Sequence, residues 1–405
     1  MTPITLARPA FQITCGSYSL LDWLQRLDLP IVPIVRDYLR ALVLQDCPRL
    51  QATRSADGAS SCLLVNARLV PSHDNFRILE SLVRDAAPAR VHTDGAVAAA
   101  ILPSHLLPSE TDGAPSRFAK MIANLGTEAI PIRDLDMTLF GYPHDVIRYN
   151  ELILGDNLEF RLKSPGFREA RPGVFVASEV RLDEHVAVDV RRGPIVLDRG
   201  VTIGPHAFLS GPAYVGPDTR VIEHAAIKHG VSIGHTAKIG GEVEASVIES
   251  YSNKQHHGFL GHSYLGSWIN LGAGTCNSDL KNTYGLVNVE CRGRRVATGM
   301  QFVGCIMGDY AKTAINTGIF TGKTIGVCSM LYGFVTTNVP SFVNYARLFG
   351  QITQLPPDVM IATQRRMFAR RAVQQRLCDI QLIRDMFIQT NDQRSSVVSA
   401  ESISL

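Results

Sequence analysis

The chain has 405 residues, of which 45% are hydrophobic and 19% charged, and its 40 basic and 37 acidic residues give a formal net charge of +3. These proportions exclude a disordered chain and a polyanion-coating protein, and the apolar runs are shorter than the roughly 20 residues that a membrane span needs. We therefore expect a globular protein of two domains and a small appendage, with neither nucleic acid nor membrane as a partner. Eight cysteines without a Cys-x-x-Cys pair favour a cytoplasmic location.

The N-terminal part of the chain, residues 1–165, alternates short apolar segments with helical stretches, which predicts an α/β domain. The predicted strands are residues 31–35, 62–70 and 96–102. The predicted helix, residues 145–154, has as candidate buried residues Val146, Ile147, Leu152 and Ile153. A stretch with prolines and glycines, residues 164–173, is the predicted linker to a second domain.

A six-residue period identifies this second domain, residues 172–345. Its aliphatic positions begin with Leu197, Ile203, Leu209, Val215, Val221, Ile227, Ile233 and Ile239. Six residues make one short strand and a turn, so three units close a triangular coil with the aliphatic side chains stacked inside. This pattern predicts a left-handed parallel β-helix. The period is interrupted at residues 242–264 and 273–305, which we expect to leave the prism as loops.

The C-terminal extension, residues 356–390, is predicted to be helical. Its expected apolar face consists of Val373, Leu377, Ile380, Ile383 and Phe387, and six arginines lie between Arg365 and Arg384. We expect this extension to cap the prism, the alternatives being packing on a neighbouring subunit or contact with an anion. The polar, Ser-rich residues 391–405 are predicted to be a disordered tail.

Two segments carry a family resemblance: residues 251–266, YSNKQHHGFLGHSYLG, and residues 270–277, NLGAGTCN. They resemble the acetyltransferase half of bifunctional N-acetylglucosamine-1-phosphate uridyltransferases, which are also glucosamine-1-phosphate acetyltransferases. The chain is closer still to related proteins in which a nucleotidyltransferase-type domain precedes the hexapeptide β-helix. Residues 4–16 and 65–68 are similar to the same subgroup. The resemblance implies acetyl-CoA as co-substrate, an amino-sugar 1-phosphate as acceptor, and a homotrimer with the cofactor between neighbouring prisms.

The resemblance also implies site residues. The catalytic histidine of the family falls on His262, and the residues that hold the acceptor fall on Tyr264 and Asn270. Positions lining the acetyl-CoA site fall on Ala273 and Asn277.

Cations are needed for the phosphates of both substrates. Candidates in the same third of the chain include Lys281, Arg294 and Lys312, which we assign to CoA. The family's phosphate-holding lysine beside a Val-Glu pair is missing after Glu244, and we expect Lys254 to replace it.

These residue types fit acetyl transfer. An amine must lose its proton to attack a thioester, and a histidine that titrates near neutrality can accept that proton. Backbone N–H groups in the Gly-rich residues 271–275 could stabilise the oxyanion, although the same glycines could simply form a corner turn. His256 and His257 have no acidic or cysteine partner at metal-ligand spacing, so no metal site is expected.

The first domain lacks the Gly-rich phosphate loop that nucleotidyltransferases of this class carry, and its first lysine is Lys120. Asp57, Asp74 and Asp94 are candidate magnesium ligands, but no motif distinguishes them from surface residues. We therefore expect a degenerate nucleotidyltransferase-like domain, with Mg²⁺ required only if it is active. Two alternatives stay open: an active sugar-1-phosphate nucleotidyltransferase that uses the β-helix as a trimerising scaffold, and a non-catalytic sugar-nucleotide-binding module.

Overall fold

The computed structural model describes residues 1–50, 61–107, 130–347 and 350–395. The chain forms two compact units. The smaller consists of Arg8–Ile13 and Tyr18–Gly141, and the larger of Met1–Ala7, Thr14–Ser17 and Tyr142–Leu405. The first domain was predicted to extend to residue 165, but the two units divide at Gly141. The helix that follows Gly141 therefore belongs to the same unit as the β-helix. Asp57, Lys120 and residues 396–405 lie outside the described ranges.

The smaller unit is an α/β domain, as predicted. Its helices are α1 (Leu20–Leu24), α2 (Asp37–Asp46) and α3 (His73–Asp85), with 3₁₀ turns at Ala10–Gln12, Gln25–Leu27 and Ser104–Leu106. Its strands are β1 (Ser61–Val65), β2 (Ala89–Thr93), β3 (Ala96–Pro103) and β4 (Ile132–Arg133), in the spatial order β1-β3-β2-β4.

The strand predicted at 31–35 is wrong: only Ile31 makes a bridge, to Leu50. Pro33 has no N–H to donate to a ladder. The strand predicted at 62–70 ends at Val65.

The larger unit contains helix α4, Asp145–Leu162, which is longer than predicted. Asn150 joins this helix to the β-helix, because its Oδ1 accepts from the N–H of Gly16 at 2.9 Å and its Nδ2 donates to the carbonyl of Gly230 at 2.8 Å. Val146 and Ile147 are buried as expected, but Leu152 is 67% exposed. The buried face continues instead through Asn150 and the C-terminal half of the helix.

Parallel strands on three faces form the left-handed β-helix of about ten turns. The strands of the larger unit are β5 (Arg168–Arg171), β6 (Val174–Val176), β7 (Arg181–Leu182), β8 (Ala187–Asp189), β9 (Ile195–Leu197), β10 (Thr202–Ile203), β11 (Phe208–Ser210), β12 (Ala213–Val215), β13 (Arg220–Val221), β14 (Ala226–Ile227), β15 (Val231–Ile233), β16 (Lys238–Ile239), β17 (Glu242–Glu244), β18 (Val247–Ile248), β19 (Asn253–Lys254), β20 (Phe259–Gly261), β21 (Tyr264–Leu265), β22 (Cys276–Asn277), β23 (Asn288–Cys291), β24 (Arg294–Ala297), β25 (Cys305–Met307), β26 (Lys312–Thr313), β27 (Gly318–Ile319), β28 (Lys323–Ile325), β29 (Met330–Leu331), β30 (Phe334–Val335), β31 (Val343–Ala346) and β32 (Gln351–Gln354). The pairs β5–β6, β23–β24 and β31–β32 are antiparallel.

The recurring aliphatic residues stack along the axis. Ile203 pairs with Val221 and Val221 with Ile239, one coil apart each time, and all three are at most 2% exposed. Burial of such side chains contributes roughly 25 cal/mol per Å² of apolar surface removed from water, so this column is the main source of the unit's stability.

Residues 242–264 do not leave the prism, contrary to the sequence expectation. They form β17 to β21, and each strand pairs with the coil before it. The period is lost because these coils are shorter: Ile239 pairs back to Val221 across a full-length coil, but forward to Lys254 across a shortened one. Corner turns absorb the missing residues while the strands stay in register.

Residues 273–305 leave the prism only in part. Cys276 and Asn277 still form a strand that pairs with β27. The excursion follows, as an antiparallel hairpin of β23 and β24, before β25 resumes pairing with β21.

The C-terminal extension is two helices, α5 (Pro357–Ala369) and α6 (Leu377–Gln389), rather than one. They pack on the prism: Phe368 lies against Trp268, and Phe387 lies edge-on to Phe342 at 5.3 Å. Ile383 is buried, whereas Leu377 is 85% exposed and Val373 lies between the helices.

Residues 391–395, expected to be disordered, form the short helix α7 (Asn391–Ser395). The reason is Arg394, which is 1% exposed and whose guanidinium lies 4.0 Å from the Phe387 ring centroid. Among the described residues, no helix has both the length and the apolar character to cross a bilayer.

Candidate active site

His262 lies at the corner that follows β20. Its φ of +44° is in the left-handed region, which is uncommon for a residue other than glycine. Two ladder bonds hold it there: its N–H donates to the carbonyl of Glu244 at 3.1 Å, and its carbonyl accepts from Gly304 at 2.7 Å. The corner turns the imidazole out of the ladder while the backbone remains fixed on both sides.

Asp279 orients the His262 ring. Its Oδ2 lies 2.8 Å from Nδ1, and the two side chains are only 15% and 13% exposed. The ring of Phe302 stacks on the imidazole with centroids 5.0 Å apart. A carboxylate at Nδ1 favours the tautomer with the proton on that nitrogen, so Nε2 keeps the lone pair of a general base.

Asn277 fixes the residue before the histidine. Its Oδ1 accepts from the N–H of Gly261 at 2.9 Å and its Nδ2 donates to the carbonyl of the same residue at 3.0 Å. A side chain at Gly261 would fall on Asp279 Oδ2 and on the Phe259 ring. Only glycine leaves room for this carboxylate beside the imidazole.

A cavity of about 820 Å³ opens beside His262. Helix α4 supplies Arg148, Glu151 and Leu152 to its wall, and the segment after the hairpin supplies Met300, Gln301 and Phe302. The remaining lining residues are Arg192, Lys228, His229, Glu242, Glu244, Phe259 and Asp279. This volume is in the range of pockets that hold small-molecule ligands, about 300–1,000 Å³.

The cavity, which we call the main pocket, is lined by both acidic and basic side chains. The ammonium of Lys228 lies 2.5 Å from Glu242 Oε1 and 3.2 Å from Glu244 Oε2. Its hydrogen bond to Glu242 is the largest cause of a raised pKa for Lys228. Arg148 donates to the carbonyl of Thr298, which ties helix α4 to the segment that carries Phe302.

Lys254 does not replace the missing phosphate-binding lysine. It is 2% exposed, and its Nζ donates to the carbonyls of Gly240 and Gly258 at 2.8 and 2.7 Å. Burial lowers the pKa of Lys254 to about 8. The side chain bridges two coils inside the prism and does not line the main pocket.

Tyr264 is also placed inside the protein. It is 0% exposed, and its hydroxyl donates to Glu249 Oε1 at 2.9 Å. The same carboxylate accepts from the N–H and the hydroxyl of Thr14 at 2.9 and 3.0 Å. In this chain Tyr264 therefore holds the N-terminal segment to the β-helix and has no surface to offer an acceptor sugar.

Asn270 and Lys312 are neighbours on a different face from His262. Asn270 forms parallel bridges to Asn253 and to Lys312, and its Oδ1 accepts from Asn253 at 2.7 Å. Lys312 donates to the carbonyl of Tyr310 at 3.0 Å, and burial lowers its pKa to about 8. The structure brings these two expected ligands together, but apart from the main pocket.

The other expected CoA contacts are spread out. Arg294 is exposed on strand β24, and Lys281 donates to the carbonyl of Leu286 within the hairpin excursion. Within residues 271–275, all N–H groups except that of Ala273 donate to acceptors in the same turn or in adjacent coils. Contrary to the expectation from the sequence, this segment as a whole therefore does not form an oxyanion hole.

Sequence reasoning missed Asp279, Lys228 and Phe302. A signal for Asp279 was available: it follows His262 by roughly the length of one coil, so the period places the two at neighbouring corners. Phe302 follows the excursion, where the period gives no register. Among the described residues, no group of three or more His, Cys, Asp or Glu could hold a metal ion.

Comparisons with known proteins agree with this architecture. Residues 1–164 match the family model for sugar nucleotidyl transferases. A bifunctional sugar-1-phosphate nucleotidylyltransferase/acetyltransferase of Sulfurisphaera tokodaii is 27% identical over 199 residues, 49% of this chain and 45% of that protein. The bifunctional protein GlmU of Acidithiobacillus ferrooxidans is 35% identical over 121 residues, 28% of this chain and 26% of that protein. The chain thus spans less than half the length of these relatives.

Solved structures that match part of the chain include a UDP-N-acetylglucosamine acyltransferase of Francisella novicida, 18% identical with a TM-score of 0.25 over 53% of this chain and 87% of that one. LpxA from Acinetobacter baumannii is 13% identical with a TM-score of 0.20, over 54% and 91%. The fold is a parallel β-helix that follows a domain matching the sugar nucleotidyl transferase model. Over parts of its length the chain is similar to bifunctional nucleotidylyltransferase/acetyltransferases and to GlmU proteins.

Proposed function

We propose that the protein is an acetyl-CoA-dependent N-acetyltransferase that acts on an amino-sugar 1-phosphate, foremost glucosamine 1-phosphate, in the synthesis of UDP-N-acetylglucosamine or a related nucleotide sugar. The observation that carries this proposal is the 2.8 Å contact between His262 Nδ1 and Asp279 at the wall of an 820 Å³ pocket. A histidine oriented by a carboxylate is the arrangement that general-base catalysis requires.

In the proposed reaction the neutral amine of the acceptor attacks the thioester carbonyl of acetyl-CoA. His262 Nε2 removes a proton from the nitrogen as the C–N bond forms, and Asp279 stabilises the imidazolium. The tetrahedral intermediate then collapses, the C–S bond breaks, and the imidazolium returns its proton to the leaving thiolate. The products are the acetamido sugar and free CoA thiol, with His262 restored.

The pocket charges suit an acceptor that carries an amine and a phosphate. Glu244 lies one coil before His262, where its carboxylate can accept from an amine or from sugar hydroxyls. Arg148 and Arg192 supply positive charge for phosphate oxygens. For CoA we keep Ala273, Lys281, Arg294 and Lys312 as proposed contacts, and assign Asn277 to positioning Gly261.

We further propose a homotrimer with CoA between neighbouring prisms. Support comes from two large apolar side chains in late coils of the β-helix: Phe320 and Phe334 are 49% and 57% exposed, and their ring centroids lie 6.5 Å apart. Exposed apolar residues this close together are typical of surfaces that another protein covers. Light scattering should give three times the chain mass of 44.3 kDa, and Phe320→Glu should yield smaller species.

The function is tested by incubating the protein with acetyl-CoA and glucosamine 1-phosphate and following free thiol. We expect His262→Ala to lower turnover at least about a hundredfold, in line with general-base contributions of 10²–10⁴. His224→Ala, an exposed histidine on another corner, is the matched control and should keep the wild-type rate. Equal rates for both variants would remove His262 from the mechanism.

The family match of residues 1–164 favours a second candidate, nucleotidyl transfer to a sugar 1-phosphate. Magnesium would serve this reaction, but the described residues offer no set of three donors for it, so we derive no step through the metal. Magnesium-dependent release of pyrophosphate from UTP and N-acetylglucosamine 1-phosphate would establish this activity. Binding of either substrate without turnover would instead indicate a sugar-nucleotide-binding module.

A further inference from the structure

A second, smaller pocket continues the main pocket along the prism. Its volume is about 280 Å³, and it shares Arg192, Lys228, His229 and Glu244 with the main pocket. The residues that it adds are Asp189, Arg191, Phe208 and Ser210. The two cavities therefore form one groove, with His262 at one end and Phe208 towards the other.

The pairing register explains why the groove is straight. Strands β8, β11, β14, β17 and β20 lie side by side in one sheet, and Phe208 pairs with Ala226, which pairs with Glu242, which pairs with Phe259. This row places one aromatic ring in each pocket, with Ala226 and Glu242 between them. Three strand spacings separate the two rings, about 14 Å along the axis.

Positive charge is available where the two pockets meet. Lys228 is already balanced by Glu242 and Glu244. Arg192 instead contacts an imidazole, its guanidinium lying 2.9 Å from His229 Nε2. Because this partner is an imidazole and not a carboxylate, the guanidinium keeps its other donors for an anion.

We propose that the groove also binds a nucleoside-diphosphate-linked amino sugar, so that a nucleotide sugar is a further acceptor of the acetyl group and a better one than the free sugar 1-phosphate. The inference rests on the proposed acetyl transfer at His262. The amino sugar occupies the main pocket, the diphosphate contacts Arg192 and His229, and the base stacks on Phe208. Stacking of a base on an aromatic side chain and phosphate contacts from arginine are common modes of nucleotide recognition.

The length of the groove favours a nucleotide sugar over a sugar 1-phosphate as the acceptor. A sugar 1-phosphate has one ring and one phosphate, and with its amine at His262 it ends near Arg192. The aromatic face of Phe208 would then meet no ligand, and Arg191 would keep only Asp189, which it contacts at 2.6 Å. A second phosphate, a ribose and a base extend the ligand over these residues.

The test compares UDP-glucosamine with glucosamine 1-phosphate as acceptors in the free-thiol assay with the full chain. We expect kcat/KM to be at least about tenfold higher for UDP-glucosamine. Phe208→Leu, which keeps an apolar side chain but removes the aromatic face, should lower the ratio of the two kcat/KM values about tenfold, the factor that corresponds to one stacking contact. Arg192→Ala should lower kcat/KM for both acceptors, because each of them places a phosphate beside this guanidinium. Arg220→Ala, an exposed arginine on another sheet, should leave the ratio unchanged.

A binding measurement makes the result independent of turnover. UDP alone, titrated calorimetrically, should bind the wild type and bind Phe208→Leu at least about fivefold more weakly. Glucosamine 1-phosphate as the better acceptor, or UDP binding that both variants leave unchanged, would overturn the inference, the latter placing the nucleotide elsewhere in the chain. If neither acceptor is acetylated but UDP binding depends on Phe208, the nucleotide site is supported and the proposed acetyl transfer fails.

Discussion

Nδ1 of His262 lies 2.8 Å from Oδ2 of Asp279, and both side chains are largely shielded from water. The two residues occupy neighbouring corners of consecutive coils, so the β-helix itself sets their separation. No loop has to close to bring the base and its carboxylate together. The geometry therefore makes a direct prediction for the carboxylate.

Asp279→Asn should lower kcat by at least about tenfold with a smaller change in KM, because an amide can no longer hold the imidazole in its basic tautomer or stabilise the imidazolium. The free-thiol assay measures both constants. Asp156→Asn, an exposed aspartate on helix α4, serves as the control. A variant that changes KM alone would assign Asp279 to substrate binding instead.

Asn277→Ala should destabilise the protein by about 1–3 kcal/mol, since the N–H and carbonyl of Gly261 both lose their partner in a buried position. Urea unfolding measures the change. Asn282→Ala, at an exposed asparagine, should be neutral. An unaltered unfolding midpoint for Asn277→Ala would mean that this side chain does not fix the corner before His262.

Lys254→Met tests the role of the buried ammonium. Because burial lowers the pKa of Lys254 in the folded state to about 8, the unfolded chain binds more protons between pH 8 and pH 10.5. Wild-type stability should therefore gain a contribution from this residue as the pH rises through that window, and the variant should lack that gain. Urea unfolding at pH 7.5 and 10 measures the difference between the two proteins.

The same variant addresses phosphate binding. At pH 7.5 Lys254→Met should retain the KM for the acceptor in the molecules that fold, because the ammonium faces backbone carbonyls. Lys163→Met, at an exposed lysine, controls for loss of charge. A rise of tenfold or more in acceptor KM for Lys254→Met alone would restore its predicted role as a phosphate ligand.

Tyr264→Phe should cost about 1 kcal/mol of stability, the usual contribution of one buried hydrogen bond, with kcat and KM nearly unchanged. Thr14 continues to donate to Glu249 in the variant, which limits the loss. Thermal unfolding and the free-thiol assay give the two quantities. A large change in acceptor KM without loss of stability would indicate that the hydroxyl contacts the sugar.

The β-helix could be predicted because its core has a strict chemical requirement. One aliphatic side chain must point inward on each face of each coil, so residues such as Ile203, Val221 and Ile239 recur at fixed intervals. The corner turns have no such requirement. Shortened coils therefore lost the period at residues 242–264, although the strands continue and Ile239 still pairs with Lys254.

The site was predicted less completely because a motif identifies residue types but not the directions in which their side chains point. The sequence pointed to His262, and the structure places it at the main pocket. Lys254 and Tyr264 have the right chemistry, but their positions within a strand direct them inside the protein. Phe302 and Lys228 approach from elsewhere in the chain, a relationship that only the folded coils reveal.

Because of helix α4, the chain cannot be divided at the predicted linker without loss of part of the main pocket. The helix lies on the N-terminal side of the linker predicted at residues 164–173, yet it forms one wall of the main pocket and is bound to the β-helix through the hydrogen bond from Asn150 to Gly230. A fragment cut at that linker would keep His262 and Asp279 but would lose Arg148 and Glu151. Any transplant of the proposed acetyl-transfer activity onto another scaffold must therefore carry this helix along with the prism.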